Sequence, residues 1–239
     1  MSMTVQDRTL KALSLALSYP SREWQQAMPE IAAVVAADRR LRPGVRAGLA
    51  RLFDELATRD LYDLEERFVL LFDRSRTLSL NLFEHVHGES RERGGAMVSL
   101  LETYRDAGFE PTTSELPDHL PVLLEFLATR SPAEAQVVLQ DAGPILAALD
   151  QRLTRRQSPY AAVFAALTGL ASARPDAAAV AELMQQPEDD PSDLDALDAV
   201  WEEAEVRFSP DPNAGCPQVR DMLARMDLPP APARGVAAE

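Results

Sequence analysis

The sequence predicts an all-α protein, in which a single-domain helical bundle is followed by an acidic, proline-rich C-terminal extension. Hydrophobic residues make up 46% of the 239 residues and aromatic residues only 6%, so leucine, alanine and valine must fill the core. Leucine and alanine favour helices. Apolar residues recur every three or four positions along most of the chain, which is the spacing of one helical face. No pair of strands joined by a hairpin turn is recognisable.

The N-terminal part of the chain predicts four helices. Apolar residues spaced three and four apart predict the first over residues 8–17. Ser21 is a suitable N-cap for the second, in which Pro29 predicts a kink or a delayed start. Pro43 begins the third helix and Asp60 caps the fourth.

The segment 73–88 is less regular. Its alternating leucines are compatible with a strand, but no partner strand is visible, so we expect a loop followed by a short helix that ends near Gly88. Ser90 is expected to cap the next helix, and Gly108 to end it.

The remaining helices have clear start signals. A proline-containing loop over residues 109–117 precedes a helix that begins at about Asp118. Ser131–Glu134 form a capping box, and the helix that follows is expected to continue through Leu153. Ser158 and the proline after it start one more helix.

A change in composition separates the predicted helical domain, residues 1–173, from an extension, residues 174–239. No basic residue lies between Arg174 and Arg207, whereas eleven acidic residues do. We expect the extension to be partly helical, over 177–186 and 193–207, with a disordered end.

The charge balance narrows the possible partners. The formal net charge is −14 and the isoelectric point about 4.7. This disfavours nucleic acid and anionic lipid, and favours a soluble protein that attracts basic partners. Cys216 is the only cysteine, so neither an internal disulfide nor a cysteine-based zinc site is expected, which suits a cytoplasmic location. The N-terminus does not resemble a signal peptide, and no segment is apolar enough for membrane insertion.

Chemically versatile residues concentrate in two blocks. The block Leu71–Ser90, LFDRSRTLSLNLFEHVHGES, holds two of the three histidines, and the block Glu115–Pro121, ELPDHLP, holds the third. Imidazole and carboxylate groups suit zinc or iron, so a metalloenzyme that uses His85, His87 and His119 is one alternative. Residues two apart on a helix point about 200° from each other, however, and the simpler interpretation is that these histidines orient a loop.

Two further groups of residues have both a structural and a functional interpretation. Glu115, Asp118 and His119 could form an acid–base set, but Asp118 could equally cap the helix that begins there. Phe68, Leu71 and Phe72 are most simply core residues of an amphipathic helix. The alternative is that part of this stripe lines a groove for a partner helix.

The two blocks resemble a known family. LFDRSRTLSLNLFEHVHGESRERGGAMVSLL, followed by ELPDHLPVLLEFLA, is similar to the nitrate reductase molybdenum cofactor assembly chaperones, the NarJ family. The similarity in spacing extends from about Leu10 to Leu170. An aromatic-x-x-Leu-Phe pattern and a Glu-x-Pro-Asp-His pattern also match the wider TorD/DmsD-like redox-enzyme maturation chaperones, which serve other molybdoenzymes.

This resemblance implies a helical bundle of the TorD/NarJ-like chaperone type without enzyme activity. It implies that the chain binds the N-terminal segment of the apo catalytic (alpha) subunit of respiratory nitrate reductase. Molybdenum cofactor would then be inserted before that subunit docks at the membrane. No cofactor would be bound permanently, and proteins that deliver the molybdenum cofactor are further possible partners. A chaperone for another molybdoenzyme is the second alternative.

The expected mechanism is that the client segment folds as a helix in a groove lined by parts of 68–88 and 115–127. Apolar client residues would be buried there, and basic ones would pair with the acidic residues of the groove, while the Glu-x-Pro-Asp-His hinge would set its width. The predicted partner-binding residues are Phe68, Leu71, Phe72, Leu82, Phe83, Glu84, His85, His87, Glu89, Glu115, Pro117, Asp118 and His119.

Overall fold

The computed structural model of the protein describes residues 7–87 and 91–186, without the side chain of Arg91. The predictions for Gly88, Glu89, Ser90 and everything from residue 187 onward, Cys216 included, lie outside the described residues. The described ranges form eleven α-helices: α1 (Arg8–Ala16), α2 (Arg22–Ala37), α3 (Pro43–Thr58), α4 (Leu61–Phe68), α5 (Leu82–His87), α6 (Arg91–Asp106), α7 (Leu120–Leu127), α8 (Pro132–Asp141), α9 (Gly143–Arg155), α10 (Ala161–Ala171) and α11 (Ala177–Leu183).

The all-α prediction is confirmed. Within the described residues the chain forms no strand, and its β-type pairing is one isolated antiparallel bridge between Asn81 and His119. Two short helical segments interrupt the α-helical pattern: a π-helix, Val69–Asp73, continues α4, and a 3-10 turn, Arg76–Leu78, follows it.

Side-chain caps fix several helix starts as the sequence predicts. Ser21 Oγ accepts from Trp24 N at 3.2 Å, and Asp60 Oδ1 accepts from Tyr62 N at 3.0 Å. The capping box is complete, because Ser131 Oγ accepts from the N–H of Glu134 while a Glu134 carboxylate oxygen accepts from the N–H of Ser131. These bonds satisfy N–H groups that have no partner within the helix.

The helix ends differ from the predictions in two places. The helix expected to run from the capping box through Leu153 is two helices, α8 and α9, separated at Ala142. Pro144 lies in the first turn of α9 and cannot donate to the carbonyl four residues earlier, so a continuous helix would lose a hydrogen bond there. Pro29, in contrast, lies inside α2, which starts at Arg22, so the proline does not delay the start of this helix.

The helices pack in pairs around one core. Helix α2 lies against α3, α1 against α7, and α9 against α10, and α10 also contacts α3 and α8. Leu13, Leu49, Leu124, Leu149 and Leu167 are fully buried between them. Burial of such side chains is the main favourable term in folding.

Helix α11 lies within the segment that the sequence assigns to the extension. Its observed span, Ala177–Leu183, falls inside the predicted 177–186, and it packs against α9. No helix of the described ranges is both long and apolar enough to cross a bilayer.

Candidate functional site

The two sequence blocks meet along a seam, which we define as residues 80–83 and 118–120. Leu120 N donates to Leu80 O at 2.8 Å, and Leu82 N donates to Asp118 O at 3.2 Å. The bridge between Asn81 and His119 lies between these two bonds. Main-chain hydrogen bonds therefore bring together segments that are nearly 40 residues apart in sequence.

Asp118 caps a helix, but not the one that the sequence suggested. Its side chain is fully buried, and its Oδ2 accepts from Phe83 N, 35 residues away, at 2.9 Å. Helix α7 begins after His119 and has no side-chain cap. The prediction that Asp118 caps α7 is thus wrong, because the carboxylate instead satisfies an N–H in the first turn of α5. Burial raises the pKa of this carboxyl.

Three buried polar atoms of the seam make no hydrogen bond to the described residues: Asn81 Oδ1, Asp118 Oδ1 and His119 Nδ1. Buried polar atoms without partners are rare in folded proteins. Each such atom has lost the hydrogen bond that water provides in the unfolded chain, and this loss costs free energy. Burial also lowers the pKa of His119, although Glu115 and Asp118 lie near enough to oppose the shift. The seam thus combines buried polar groups whose hydrogen bonds within the described residues are incomplete.

The histidines of α5 point in different directions. His85 is buried, its Nε2–H donates to Ser79 O at 2.9 Å, and burial lowers its pKa. The ring of His87 lies 5.8 Å from that of Phe83, and its Nδ1 lies 3.9 Å from a carboxylate oxygen of Glu92. His85 thus orients the loop before α5, in keeping with the simpler interpretation of these residues.

The metal alternative gains no support from this geometry. Across residues 7–87 and 91–186, no group of three or more histidine, cysteine, aspartate or glutamate side chains is arranged to hold a metal ion.

The aromatic pattern of α4 lies in the core. Phe68 and Phe72 are each 4% exposed, and they form a series of contacting rings from Tyr19 through both residues to Tyr160, with centroid separations of 5.7, 5.1 and 5.2 Å. Leu71 is only partly buried. This confirms the core interpretation for the two phenylalanines. Phe68 ends α4, and Phe72 lies in the π-helix, a form that is rare and often found at functional sites.

The outer side of the seam exposes apolar side chains. Val86 is 61% exposed and Leu116 is 43% exposed. Phe83 lies one turn before Val86 on α5, so the two share a helix face. We call this set, Phe83, Val86, His87, Glu115 and Leu116, the α5 surface. Leu82 and His85 lie on the opposite, buried side of the same helix.

The acidic residues predicted to bind the partner differ in exposure and in whether they are already paired. Glu115 is exposed on the α5 surface, whereas Glu84 forms an ion pair with Arg93 at 3.0 Å and Asp118 is buried. Glu89 lies outside the described residues. Pro117 is held from inside, because Tyr104 Oη–H donates to its carbonyl oxygen at 2.7 Å.

Sequence reasoning missed two residues that organise the site. Asn81 pairs with His119, and the signal was an amide side chain between Leu80 and Leu82. Arg152 donates to Thr77 O at 2.7 Å from the interior. Its signal was a charged residue at an inward position of α9, between Leu149 and Leu153.

A large cavity lies elsewhere in the molecule. It has a volume of about 770 Å³ and is bounded by the start of α1, the end of α2 and Arg130. None of its lining residues belongs to either sequence block. A helix can dock on an exposed apolar face that is not a deep cavity, so this cavity does not identify the site.

Comparison with known proteins assigns the family. The family described as "Nitrate reductase delta subunit" matches residues 38–166, which include the seam and the α5 surface. The Escherichia coli (strain K12) nitrate reductase molybdenum cofactor assembly chaperone NarJ is 43% identical over 207 residues, which is 86% of this chain and 87% of that protein. The chain belongs to the NarJ family of nitrate reductase assembly chaperones.

Other NarJ-family chaperones are also similar to this chain. The probable chaperone NarW of the same E. coli strain is 37% identical, over 87% of this chain and 86% of its own length. The probable NarJ of Bacillus subtilis (strain 168) is 34% identical, over 67% of this chain and 86% of its own length. These relatives are named as assembly chaperones, not as catalysts, so the resemblance and the prediction of a non-enzyme are confirmed.

Proposed function

We propose that this NarJ-family chaperone binds the N-terminal segment of the apo catalytic subunit of nitrate reductase, and so keeps that subunit open for molybdenum cofactor insertion before it docks at the membrane. The observation that carries the proposal is the α5 surface, where exposed apolar side chains lie in the part of the chain that the family match covers. Exposed apolar patches often mark the sites where proteins bind their partners.

The geometry favours an amphipathic helix as the client. Phe83 and Val86 present an apolar face one helical turn long, and the exposed Leu116 lies two residues before the seam in sequence. An apolar stripe on the client would cover this face. Basic client residues would then pair with Glu115, which is exposed, and would be attracted by the net charge of −14.

The structure changes the roles that we assign to the other acidic residues. Asp118 is buried and bonded to Phe83 N, so it positions α5 and does not contact a basic side chain directly. Glu84 is already paired with Arg93. Phe68 and Phe72 are buried in the core, where their rings contact Tyr19 and Tyr160, so we assign them no direct contact with the client.

Calorimetric titration with a synthetic peptide of the catalytic subunit's N-terminus tests the proposal. We expect binding near micromolar, weakened by salt because exposed charges are screened. Val86→Asp should reduce affinity at least tenfold, which is about 1.4 kcal/mol. The matched control is Val137→Asp on α8, since Val137 is 57% exposed and lies in neither sequence block. Equal effects of the two substitutions, or no binding by the unaltered protein, would refute the proposal.

A second pair of variants tests the charge component. Glu115→Gln should weaken peptide binding at low salt and have little effect at high salt. Glu102→Gln, also exposed, is the control. A salt-independent loss in Glu115→Gln would mean that the side chain acts by shape and not by charge.

The timing of action needs a test in cells. We propose that the chaperone works in the cytoplasm and releases its client once the cofactor is in place, without binding the cofactor permanently. It should co-purify with the catalytic subunit from cells that cannot make molybdenum cofactor, and much less from cells that can. Co-purification in equal amounts from both would contradict release on cofactor insertion.

A further inference from the structure

Arg152 is a buried cation at an unexpected place. It lies on α9, its side chain is fully buried, and it is the largest such side chain among the described residues. A guanidinium in a protein interior is costly unless its N–H groups are hydrogen-bonded. Arg152 lies outside both sequence blocks, so its hydrogen bonds connect one of those blocks to another part of the fold.

The two ends of the guanidinium bond to different segments of the chain. One terminal nitrogen donates to Thr77 O at 2.7 Å, and the other donates to Leu183 O at 2.5 Å. Thr77 belongs to the 3-10 turn that precedes the seam. Leu183 is the last residue of α11, where a positive charge also complements the helix dipole. One rigid, planar group therefore spans two segments that are more than 100 residues apart.

The segment that Arg152 holds leads directly into the seam. Thr77 and Ser79 are both buried, and Ser79 O accepts the hydrogen bond from His85. The next residue, Leu80, accepts from Leu120 through its carbonyl oxygen, and Asn81 then bridges His119. Because α5 begins only five residues after Thr77, a displacement of Thr77 would also shift the start of α5.

We propose that Arg152 is a positioning residue that couples the docking of α11 on α9 to the conformation of the 77–81 segment, and through it to the affinity of the α5 surface for its client. The link to affinity rests on the proposed function, whereas the coupling itself does not. Because such coupling is reciprocal, client binding should also strengthen the docking of α11.

Hydrogen exchange of the full chain without peptide tests the coupling. Arg152→Lys keeps the charge but replaces the planar fork with a single ammonium group, which cannot hold both carbonyls in the same way. Exchange should accelerate roughly threefold or more in both α11 and residues 77–81, and remain unchanged in α2 and α3. Arg51→Lys on the exposed side of α3 is the control and should change neither segment.

A variant on α11 itself tests the direction of the effect. Val180 is the buried residue of α11, so Val180→Ala should loosen the docking of this helix without altering Arg152. The proposal requires faster exchange at residues 77–81 in Val180→Ala as well. Faster exchange in α11 alone would show that the two segments are independent, and would overturn the proposal even if Arg152→Lys failed to fold.

The peptide of the catalytic subunit's N-terminus supplies the last measurement. Its addition should slow exchange in α11 of the unaltered protein, and Arg152→Lys should bind it about threefold to tenfold more weakly, within the usual range of coupling. Binding that leaves α11 exchange unchanged would refute the link to the client. Absence of any peptide binding would instead refute the proposed function, and the peptide-free exchange would still decide the coupling.

Discussion

The two ends of helix α7 place buried carboxylates in different surroundings. At its C-terminal end, Asp7 N donates to Ala128 O at 2.9 Å, and the Asp7 carboxylate accepts from the N–H groups of Thr9 and Leu10 and from the guanidinium of Arg40. At its N-terminal end, about 12 Å away by helix rise, the seam leaves polar atoms of Asp118 and His119 without partners.

This contrast separates polar groups that stabilise the fold from polar groups that serve another purpose. Arg40 connects Asp7 with Asp38, which also accepts from Thr9 Oγ1 at 2.7 Å. In the seam, one carboxylate oxygen of Asp118 caps α5, and the other has no hydrogen-bond partner among the described residues. Unfavourable local arrangements of this kind persist in proteins mainly where function requires them.

The largest expected effect is at the C-terminal end. Arg40→Met should lower the free energy of unfolding by about 2–3 kcal/mol, because it leaves two carboxylates without their partner. Peptide affinity should not change. Urea denaturation and calorimetry measure the two quantities. The neighbouring Arg39→Met, an exposed side chain, is the control, and an equal loss in both variants would show that the network contributes nothing.

The same network should make stability depend on acid. The hydrogen bond from Arg40 lowers the pKa of Asp38 from 3.8 to about 2. Burial would raise the pKa of Asp7, but hydrogen bonds from Arg40 and from the backbone of α1 outweigh it and lower that pKa. A carboxyl whose folded-state pKa is depressed contributes stability above its unfolded pKa and loses it as pH falls through the folded value.

We therefore expect the stability difference between the unaltered protein and Arg40→Met to shrink by about 1 kcal/mol or more between pH 4 and pH 2. Unfolding curves at half-unit pH intervals measure this. A difference that stays constant over that window would mean that the Asp38 and Asp7 shifts do not depend on Arg40.

A smaller effect is expected where the seam is held from inside. Tyr104→Phe removes the hydrogen bond to Pro117 O and should cost about 1 kcal/mol of stability. It should also weaken peptide binding, since the loop that carries Glu115 and Leu116 loses its internal tie. Tyr62→Phe, 79% exposed, should affect neither property. Loss of stability with unchanged affinity would show that the loop does not contribute to binding.

The smallest stability effect, with a reversed sign, is expected at Asp118. Asp118→Asn keeps an acceptor for Phe83 N and removes a carboxylate whose burial raises its pKa, so stability should be unchanged or rise by up to about 1 kcal/mol. Peptide affinity should change little, because the acceptor that positions α5 is retained. Thermal unfolding and calorimetry, with the exposed Asp54→Asn as control, test this. A clear loss of stability would place Asp118 with the stabilising groups and remove the contrast between the two ends.

Much of the fold was predictable because local signals decide helix boundaries. Ser21, Asp60 and the capping box over 131–134 begin helices where the sequence indicates, and Gly108 follows α6 with the positive φ of 72° that its identity favours. The break at Pro144 also has a local signal, the missing N–H of the proline, but the apolar spacing of 132–153 continues across it and predicts one helix.

The candidate site was only partly predictable. The sequence concentrates its histidines and acids in two blocks, and the family match covers both. It does not show that Phe68 and Phe72 face the core while Phe83 is only partly buried on the α5 surface, because all three belong to apolar helical patterns. The assignment of client contacts to the α5 surface remains a prediction.

The sequence by itself determined the helical class, most helix starts and the family, because caps, prolines and apolar spacing act over a few residues. Only the tertiary structure decided which helix Asp118 caps and what Arg152 holds. Both residues bond to backbone groups that lie 35 and 75 positions away in the chain. Such partners are chosen when helices pack, since a buried carboxylate or guanidinium must find hydrogen bonds wherever the packed chain supplies them.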